Sequence, residues 1–413
     1  MSGTPLTLFN NFVESTGPAY IKPPEEVIND AQLHRTYSIA SLMAGDRGKK
    51  MMYDGGSEIR FATFFETGGR TRFHQPGATQ NWAQPQKVVH GRAAHRYAIS
   101  DMSWNLQAAE LNLGSTPDFQ RYFNYKAQLE QMAYTDIWDF LESHVWSEPD
   151  FTEMESLAGG AEGKMYSIPA FINEYGSGLM NSAGTAGTAW TTVHGIDPTS
   201  ADKGQNRFTH QTSSYSVEVT NSTQLASSLT ILGAFEKMWK KVHFEKPPSN
   251  GDAYSNPAYN SQQIFCSPEG QTAYATCLRA FQDQFVIEGR QDPAYPDPAF
   301  NFIPVKYVNA LTTATLYPNN TTLGSASDNI AEGTNATGNR QGPRFYWINS
   351  NYLHPFFHKD YFFARGGVRE HFNDPDTFVV PIRLLGNLMC TSRIRQGLVS
   401  PSTGKSLFAG LYS

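Results

Sequence analysis

TPDFQRYFNYKAQLEQMAYTDIWDFLESHVW, residues 116–146, is the longest periodic stretch in the sequence. Phe119, Tyr122, Phe123, Leu129, Met132, Ala133, Ile137, Phe140, Leu141 and Val145 recur at intervals of three and four, which puts apolar side chains on one helix face. Thr116 suits the N-cap, Pro117 the first helical position and Asp118 the first turn. The spacing predicts a helix over 116–146, about 45 Å long at 1.5 Å per residue. It ends before Pro149. Asp136, Asp139 and Glu142, three residues apart, read as one solvated face rather than an acid/base pair.

Toward the N-terminus, IRFATFF (59–65) and VVHGRAAHRYAISD (88–101) are dense in β-branched and aromatic residues and read as a strand and its return. The 22 residues between them, ETGGRTRFHQPGATQNWAQPQK, far exceed the about two to five of an ordinary hairpin loop. Glu66 opens this loop, and Arg70, Arg72, Phe73 and Trp82 within it are side chains suited to a partner surface. His90 and His95, with Arg92 and Arg96, read as alternating positions on an assembly-facing strand rather than an anion site. Residues 1–50, interrupted by Pro5, Pro18, Pro23 and Pro24, read as an extended arm with at most one helical stretch near 25–41.

Toward the C-terminus, residues 159–216 show few periodic apolar positions and read as loops joined by short strands. A second helix is expected over about 222–244, with Asn221 as N-cap and Leu225, Leu229, Leu232, Phe235, Trp239 and Val242 on one face. QQIFC (262–266) is a strand, followed by a helix capped by Ser267 and opened by Pro268 and Glu269. FIPVKYV (302–308) is a strand, and 312–342 is a Thr/Asn/Ser/Gly tract of the kind that lies on a surface. GPRFYWINS, KDYFFA, DTFVVPIRLLG and NLMCTSRIRQGLV make the last seventy residues strand-like.

The chain has 413 residues, two to three times the usual domain size, so core size is not limiting. Its net charge of −6 argues against sequence-independent grip on nucleic acid, which needs Lys and Arg to neutralise phosphates. Charged residues are 17%, against about 25% in an ordinary domain. Aromatics are 13%, so much of the surface is neutral. The first residues carry neither a basic segment nor an apolar run, and no window of about 18 apolar residues follows, so no membrane span is expected. Cys266, Cys277 and Cys390, odd in number and without CxxC spacing, argue against a disulfide framework or a zinc ribbon and suit a reducing cytosol. The sequons at Asn221, Asn319, Asn320 and Asn335 then carry no sugar.

No phosphate loop, dinucleotide fingerprint, nucleophile elbow, HExxH or EF-hand spelling is present, so neither enzyme nor cofactor is expected. His354 and His358, with Asp360, Glu370 and His371 nearby, are a metal set only on a helix, and Pro355 argues for strand and turn instead. Cys390 with a distant histidine forms a nucleophile only in an electropositive, partly exposed niche.

The order of these segments resembles the major capsid proteins of tailed bacteriophages, which share the Hong Kong phage capsid fold. IRFATFF…HRYAISDMSW precedes the long helix as that fold's E-loop precedes its spine helix. YSIPAFINEYGSG…HGIDPTSADKGQNRF is similar to the glycine-rich segment after the spine, and AFEKMWKKVHFEKPP to the second helix of the peripheral domain. IFCSPEGQTAYATCLRAFQ resembles the strand and helix entering the axial domain, and RLLGNLMCTSRIRQGLV the closing strand.

The resemblance implies an α+β chain: an N-terminal arm (1–50), an E-loop hairpin and flanks (51–104), and a peripheral domain (105–261) with a spine helix (about 116–146). An axial domain (262–345) and return strands with the C-terminus (346–413) complete it. It further implies hexamers and pentamers of one chain in an icosahedral shell around double-stranded DNA, in a virion assembled in the bacterial cytoplasm. The partners it implies are a separate scaffolding protein, a portal protein and a decoration protein, with no membrane. Glu66, Arg70, Arg72, Phe73 and Trp82 would then lie on the adjacent subunit. The alternatives from composition are a phage tail or neck structural protein, or a β-rich carbohydrate-active or carbohydrate-binding protein.

Overall fold

The computed structural model of the chain describes residues 36–43, 51–56, 58–64, 88–105, 119–147, 154–155, 163–172, 192–197, 208–215, 231–244, 261–282, 298–311, 343–371 and 374–401. The chain divides into two compact units. Unit 1 takes Tyr97–Leu141 and Phe357–Leu385, with Met1–Leu33; unit 2 takes His34–Arg96, Glu142–Phe356 and Gly386–Ser413.

Unit 1 is built on the first part of β13 (Asp374–Cys390), a strand of 17 residues. It pairs with β4 (Arg96–Asn105), β11 (Ala364–Arg365) and β12 (Arg369–His371). Successive residues of β4 alternate, so Ser100, Met102 and Trp104 turn inward while Tyr97, Ile99, Asp101 and Ser103 face water. Trp104 stacks on Phe378 with ring centres 6.1 Å apart. Pro381 inside β13 has no N–H to give, but its carbonyl accepts from Gly366 N at 2.7 Å.

The long helix, α2, runs Phe119–Val145; Thr116, Pro117 and Asp118 lie outside the described residues. Ala133, Ile137 and Leu141 form its buried stripe, as the spacing predicts. Met132 and Phe140 do not join them: both are more than half exposed, because the helix turns them away from that stripe. Tyr134 and Trp138 meet Phe363 at 5.8 and 5.1 Å between ring centres. KDYFFA, expected as strand, instead forms a 3-10 turn over Lys359–Tyr361, since Asp360 N donates to the His358 Nδ1 two residues back.

Unit 2 holds a six-stranded sheet in the order β5-β14-β9-β6-β8-β7. The strands are β5 (Gln211–Tyr215), β6 (Gln262–Cys266), β7 (Ala299–Phe300), β8 (Ile303–Tyr307), β9 (Phe345–Asn349) and β14 (Gly397–Pro401). β6 and β9 are buried along their whole length, as central strands covered on both faces should be. The strand and helix expected from QQIFCSPEG are present. Ser267 Oγ accepts Gly270 N at 3.1 Å at the start of α5 (Pro268–Gln282), the N-cap contact.

The second helix, α4, is described over Ile231–Val242; residues 222–230 lie outside the described set, and His243 and Phe244 have left the helix. Ile231, Ala234, Phe235, Met238 and Val242 pack into the core with Trp347, Phe345, Tyr274 and Val305. Phe235 is its centre, with rings of Tyr274, Phe300, Phe345 and Trp347 at 5.0, 5.5, 4.9 and 5.3 Å.

Unit 2 also holds α1 (Ser38–Met43), β1 (Met51–Tyr53), the ribbon of β2 (Glu58–Phe64) and β3 (Val88–Ala94), α3 (Ile168–Phe171) and the first four residues of β10 (Leu353–His358). α1 falls at the end of the helical stretch expected near 25–41.

Candidate functional site

β2 and β3 pair antiparallel over seven residues each, from Glu58↔Ala94 to Phe64↔Val88, and form a sheet of two strands only. Such a ribbon is marginal in water unless something holds it. It is held at one end. Gly91 leaves the space that the Phe61 ring occupies, and that ring meets His194 edge-on at 5.6 Å. Arg92 N donates to His194 O at 3.0 Å, and His194 Nδ1 donates back to Arg92 O at 3.1 Å. The other ring nitrogen, Nε2, therefore accepts, from Cys390 N at 3.2 Å. Burial, countered in part by the Arg92 carbonyl, pushes the imidazole pKa down to about 3, so the ring stays neutral in this tautomer.

A side chain at Gly91 would enter the Phe61 ring. Gly91→Ala is expected to displace that ring and cost about 1–3 kcal/mol. Thermal melting and hydrogen exchange of residues 88–94 check this; a melting temperature and ribbon exchange both equal to wild type would refute the close approach.

The anchor extends below the ribbon. Asn387 Nδ2 donates to Ala94 O at 2.7 Å, while its Oδ1 accepts Tyr166 N at 2.9 Å and Leu388 N at 2.8 Å. Tyr166 and Phe171 stack together, and both rings lie tilted against that of His194, at 4.4 and 5.0 Å. Arg393, wholly buried, donates from Nε to Phe171 O (2.9 Å), from Nη1 to Phe208 O (3.1 Å) and from Nη2 to His210 Nδ1 (3.4 Å). Burial pulls its guanidinium down to about 10. Residues 163–172, expected as loop, are thus core: Met165–Ile172 are all buried. Their only sequence signal is the apolar run MYSIPAFI, which no helical or strand period organises.

This hub joins segments; its groups are not arranged for catalysis. Burial pushes the Cys390 thiol up to about 12 and Cys277 up to about 11, so both are thiols at neutral pH. Burial raises Glu155, which accepts Thr192 Oγ1 at 3.0 Å, and raises Tyr166 well above the ordinary phenol. His354 and His358 lie on strand β10, not a helix. Among the described residues no group of three or more His, Cys, Asp and Glu side chains could hold a metal ion, and no helix is long and apolar enough to cross a membrane.

The structure also alters two assignments. Of the carboxylates expected on one solvated face of α2, only Asp136 is exposed, accepting Ser100 Oγ at 3.0 Å. Asp139 and Glu142 are buried. Around the strand break, His95 Nε2 donates to Gly56 O at 2.8 Å, so its Nδ1 accepts the Tyr53 hydroxyl at 2.8 Å. His90 and Arg92 are exposed, as the alternation predicts, while Arg96 is engaged by Lys164 O and Met154 O.

Glu66, Arg70, Arg72, Phe73 and Trp82 lie outside the described residues. Within them, unit 1 exposes Tyr97, Ile99, Met132, Phe140 and Val368. Unit 2 exposes Met52, Val88 and Phe302, the last by 87%. Phe302 sits with Asn301 in the two-residue turn between β7 and β8, both at positive φ (64° and 46°), where Asn and Gly are the usual residues. FIPVKYV read as strand did not reveal this turn, because Phe carries a strand propensity.

No family model matches the chain, and no curated protein matches it. Solved structures similar to it include chains of phage capsids. A chain of the cyanophage A-1(L) capsid asymmetric unit is 12% identical, with 88% of this chain and 92% of that one covered and a TM-score of 0.49. A capsid chain of a native GTA particle is 9% identical over 97% and 100% of the two chains, TM-score 0.44. A chain of the bacteriophage PhiM1 mature capsid is 10% identical over 93% and 92%, TM-score 0.42.

Proposed function

We propose that this chain is the major capsid protein of a tailed bacteriophage, a structural protein rather than an enzyme. Copies of it assemble as hexamers and pentamers into the icosahedral shell around the double-stranded DNA genome. The observation that carries this reading is the rooted two-stranded ribbon, β2–β3, ahead of the 27-residue helix α2 in chain order. A ribbon clamped at one end is suited to reach over a neighbour. On this reading 66–87 is an E-loop placing Glu66, Arg70, Arg72, Phe73 and Trp82 on the adjacent subunit, as charge-assisted and aromatic anchors. Residues 105–261 are the peripheral domain, 262–345 the axial domain and 346–413 the return.

Apolar side chains left in water on both units, and a charge content of 17%, support a subunit completed by its neighbours. Assembly takes place in the host cytoplasm with a separate scaffolding protein, a portal and a decoration protein, and the product is the virion. Deleting residues 67–86 tests the reading. The shortened chain is expected to keep its far-ultraviolet circular dichroism and melting transition while closed shells vanish from electron micrographs. Normal shells from the deletion would remove the E-loop assignment.

A further inference from the structure

We propose that residues 36–43 form a releasable strap, and that the Glu142 carboxylate decides whether it is seated. The strap holds the six-residue helix α1, too short to persist alone in water. What holds it is a seat made within unit 2. Glu142 Oε2 accepts Ser38 N at 2.8 Å and Ile39 N at 3.3 Å, two of the donors that a helix start leaves unpaired. Glu142 Oε1 accepts Ser38 Oγ at 2.6 Å and Trp146 Nε1 at 3.0 Å, and Trp146 Nε1 also donates to Ser38 Oγ at 2.8 Å. Further along, Ser41 Oγ donates to Gln263 Oε1 at 2.8 Å and Gln263 Nε2 donates to Ser41 O at 3.1 Å. Ile39 and Leu42 supply the apolar contact.

Seated beneath the strap, the carboxylate is poorly placed for its charge. It lies in the last turn of α2, at the negative end of that helix's dipole. It is fully buried, and among the described residues no cation pairs with it. Among the described residues, the groups facing the seat are the Trp146 indole with Phe265 and Tyr346 beside it, the neutral amide of Gln263, and Lys306. The Lys306 ammonium donates to Ser41 Oγ at 2.5 Å, on the strap rather than on the carboxylate. Seating therefore desolvates a charge and compensates it only with hydrogen bonds from the strap and from Trp146.

The balance is linked to protons. Desolvation raises the Glu142 pKa above the ordinary carboxyl value, against the hydrogen bonds from Ser38, Ile39 and Trp146, which lower it. The seated state thus holds its proton to higher pH than the released state, so seating is strongest in acid and weakens as pH rises through the raised carboxyl range.

Hydrogen exchange on the full chain from about pH 5 to about pH 8 tests this, read as protection factors so that intrinsic exchange rates cancel. In the wild type, protection of 38–43 is expected to fall several-fold across the range while that of 345–349 in β9 stays constant. Glu142→Gln, neutral at every pH, is expected to flatten that response. Ser38→Ala is expected to lower strap protection roughly tenfold at each pH without touching β9, by removing both hydrogen bonds of the Ser38 hydroxyl, to Glu142 Oε1 and from Trp146 Nε1. The same pH response in Glu142→Gln as in wild type, strap protection unmoved by Ser38→Ala, or a strap that opens only together with β9 would each overturn the proposal. It stands or falls independently of whether the chain builds a shell.

Discussion

Replacing Arg393 by Met is expected to destabilise unit 2 by about 3–5 kcal/mol, because it strips the donors from a buried site while leaving the acceptors in place. Phe171 O, Phe208 O and His210 Nδ1 each lose their guanidinium partner within a buried site. Met fills much of the stem's volume, so the loss reports polar orphaning more than cavity formation. Three distant segments, 163–172, 208–210 and the turn Arg393–Arg395, share this one cation, so they should loosen together. Urea unfolding of the purified chain measures the loss as a lowered midpoint. A shift worth less than about 1 kcal/mol would mean that the hub is not what holds these segments.

Phe235→Ala comes next in size, also at about 3–5 kcal/mol. Its ring fills the space between α4, α5 and the sheet, meeting four aromatic rings at 4.9 to 5.5 Å between centres. Aromatic neighbours cannot close such a hole by rotating, since Phe300 and Trp347 meet edge-on, Phe345 meets Tyr215 edge-on, and the Tyr274 hydroxyl is tied to Ala299 O. Thermal unfolding should show an early transition for the variant, with Phe235→Leu intermediate between it and wild type. Equal melting temperatures for the alanine variant and wild type would refute the central place given to this ring.

What was legible in the sequence was what repeats. The three-and-four spacing located α2, and the β-branched runs located β2, β3, β6 and β9. Ser267, Pro268 and Glu269 marked the start of α5 correctly because capping is a local chemistry, carried within one turn of chain. Periodicity assigns a face but not what covers it. Glu142 was read as solvated because helical spacing joins it to Asp136, yet Ser38, 104 residues upstream, closes over it. His194, Asn387 and Arg393 were missed for the same reason: each acts on residues about 100 to 300 positions away, and no local pattern signals that. KDYFFA failed differently. Its aromatic content argues strand, but the amide of Asp360 finds His358 at short range and the chain turns there instead.

The surfaces proposed to meet a neighbour were legible only in part. Arg70, Arg72 and Trp82 have side-chain chemistry suited to a contact, and the ribbon that would carry them is rooted on Gly91, Arg92 and His194. Phe302, Met132 and Phe140 emerge only from the fold, since each sits in a pattern that reads as core.

Electron microscopy of the purified full-length chain, incubated at assembly-favouring concentration and salt, tests the central claim most directly. Closed polyhedral particles, or rings of five and six subunits, are the predicted images. A uniform field of single subunits at every concentration, or open tubes in place of closed particles, would contradict it.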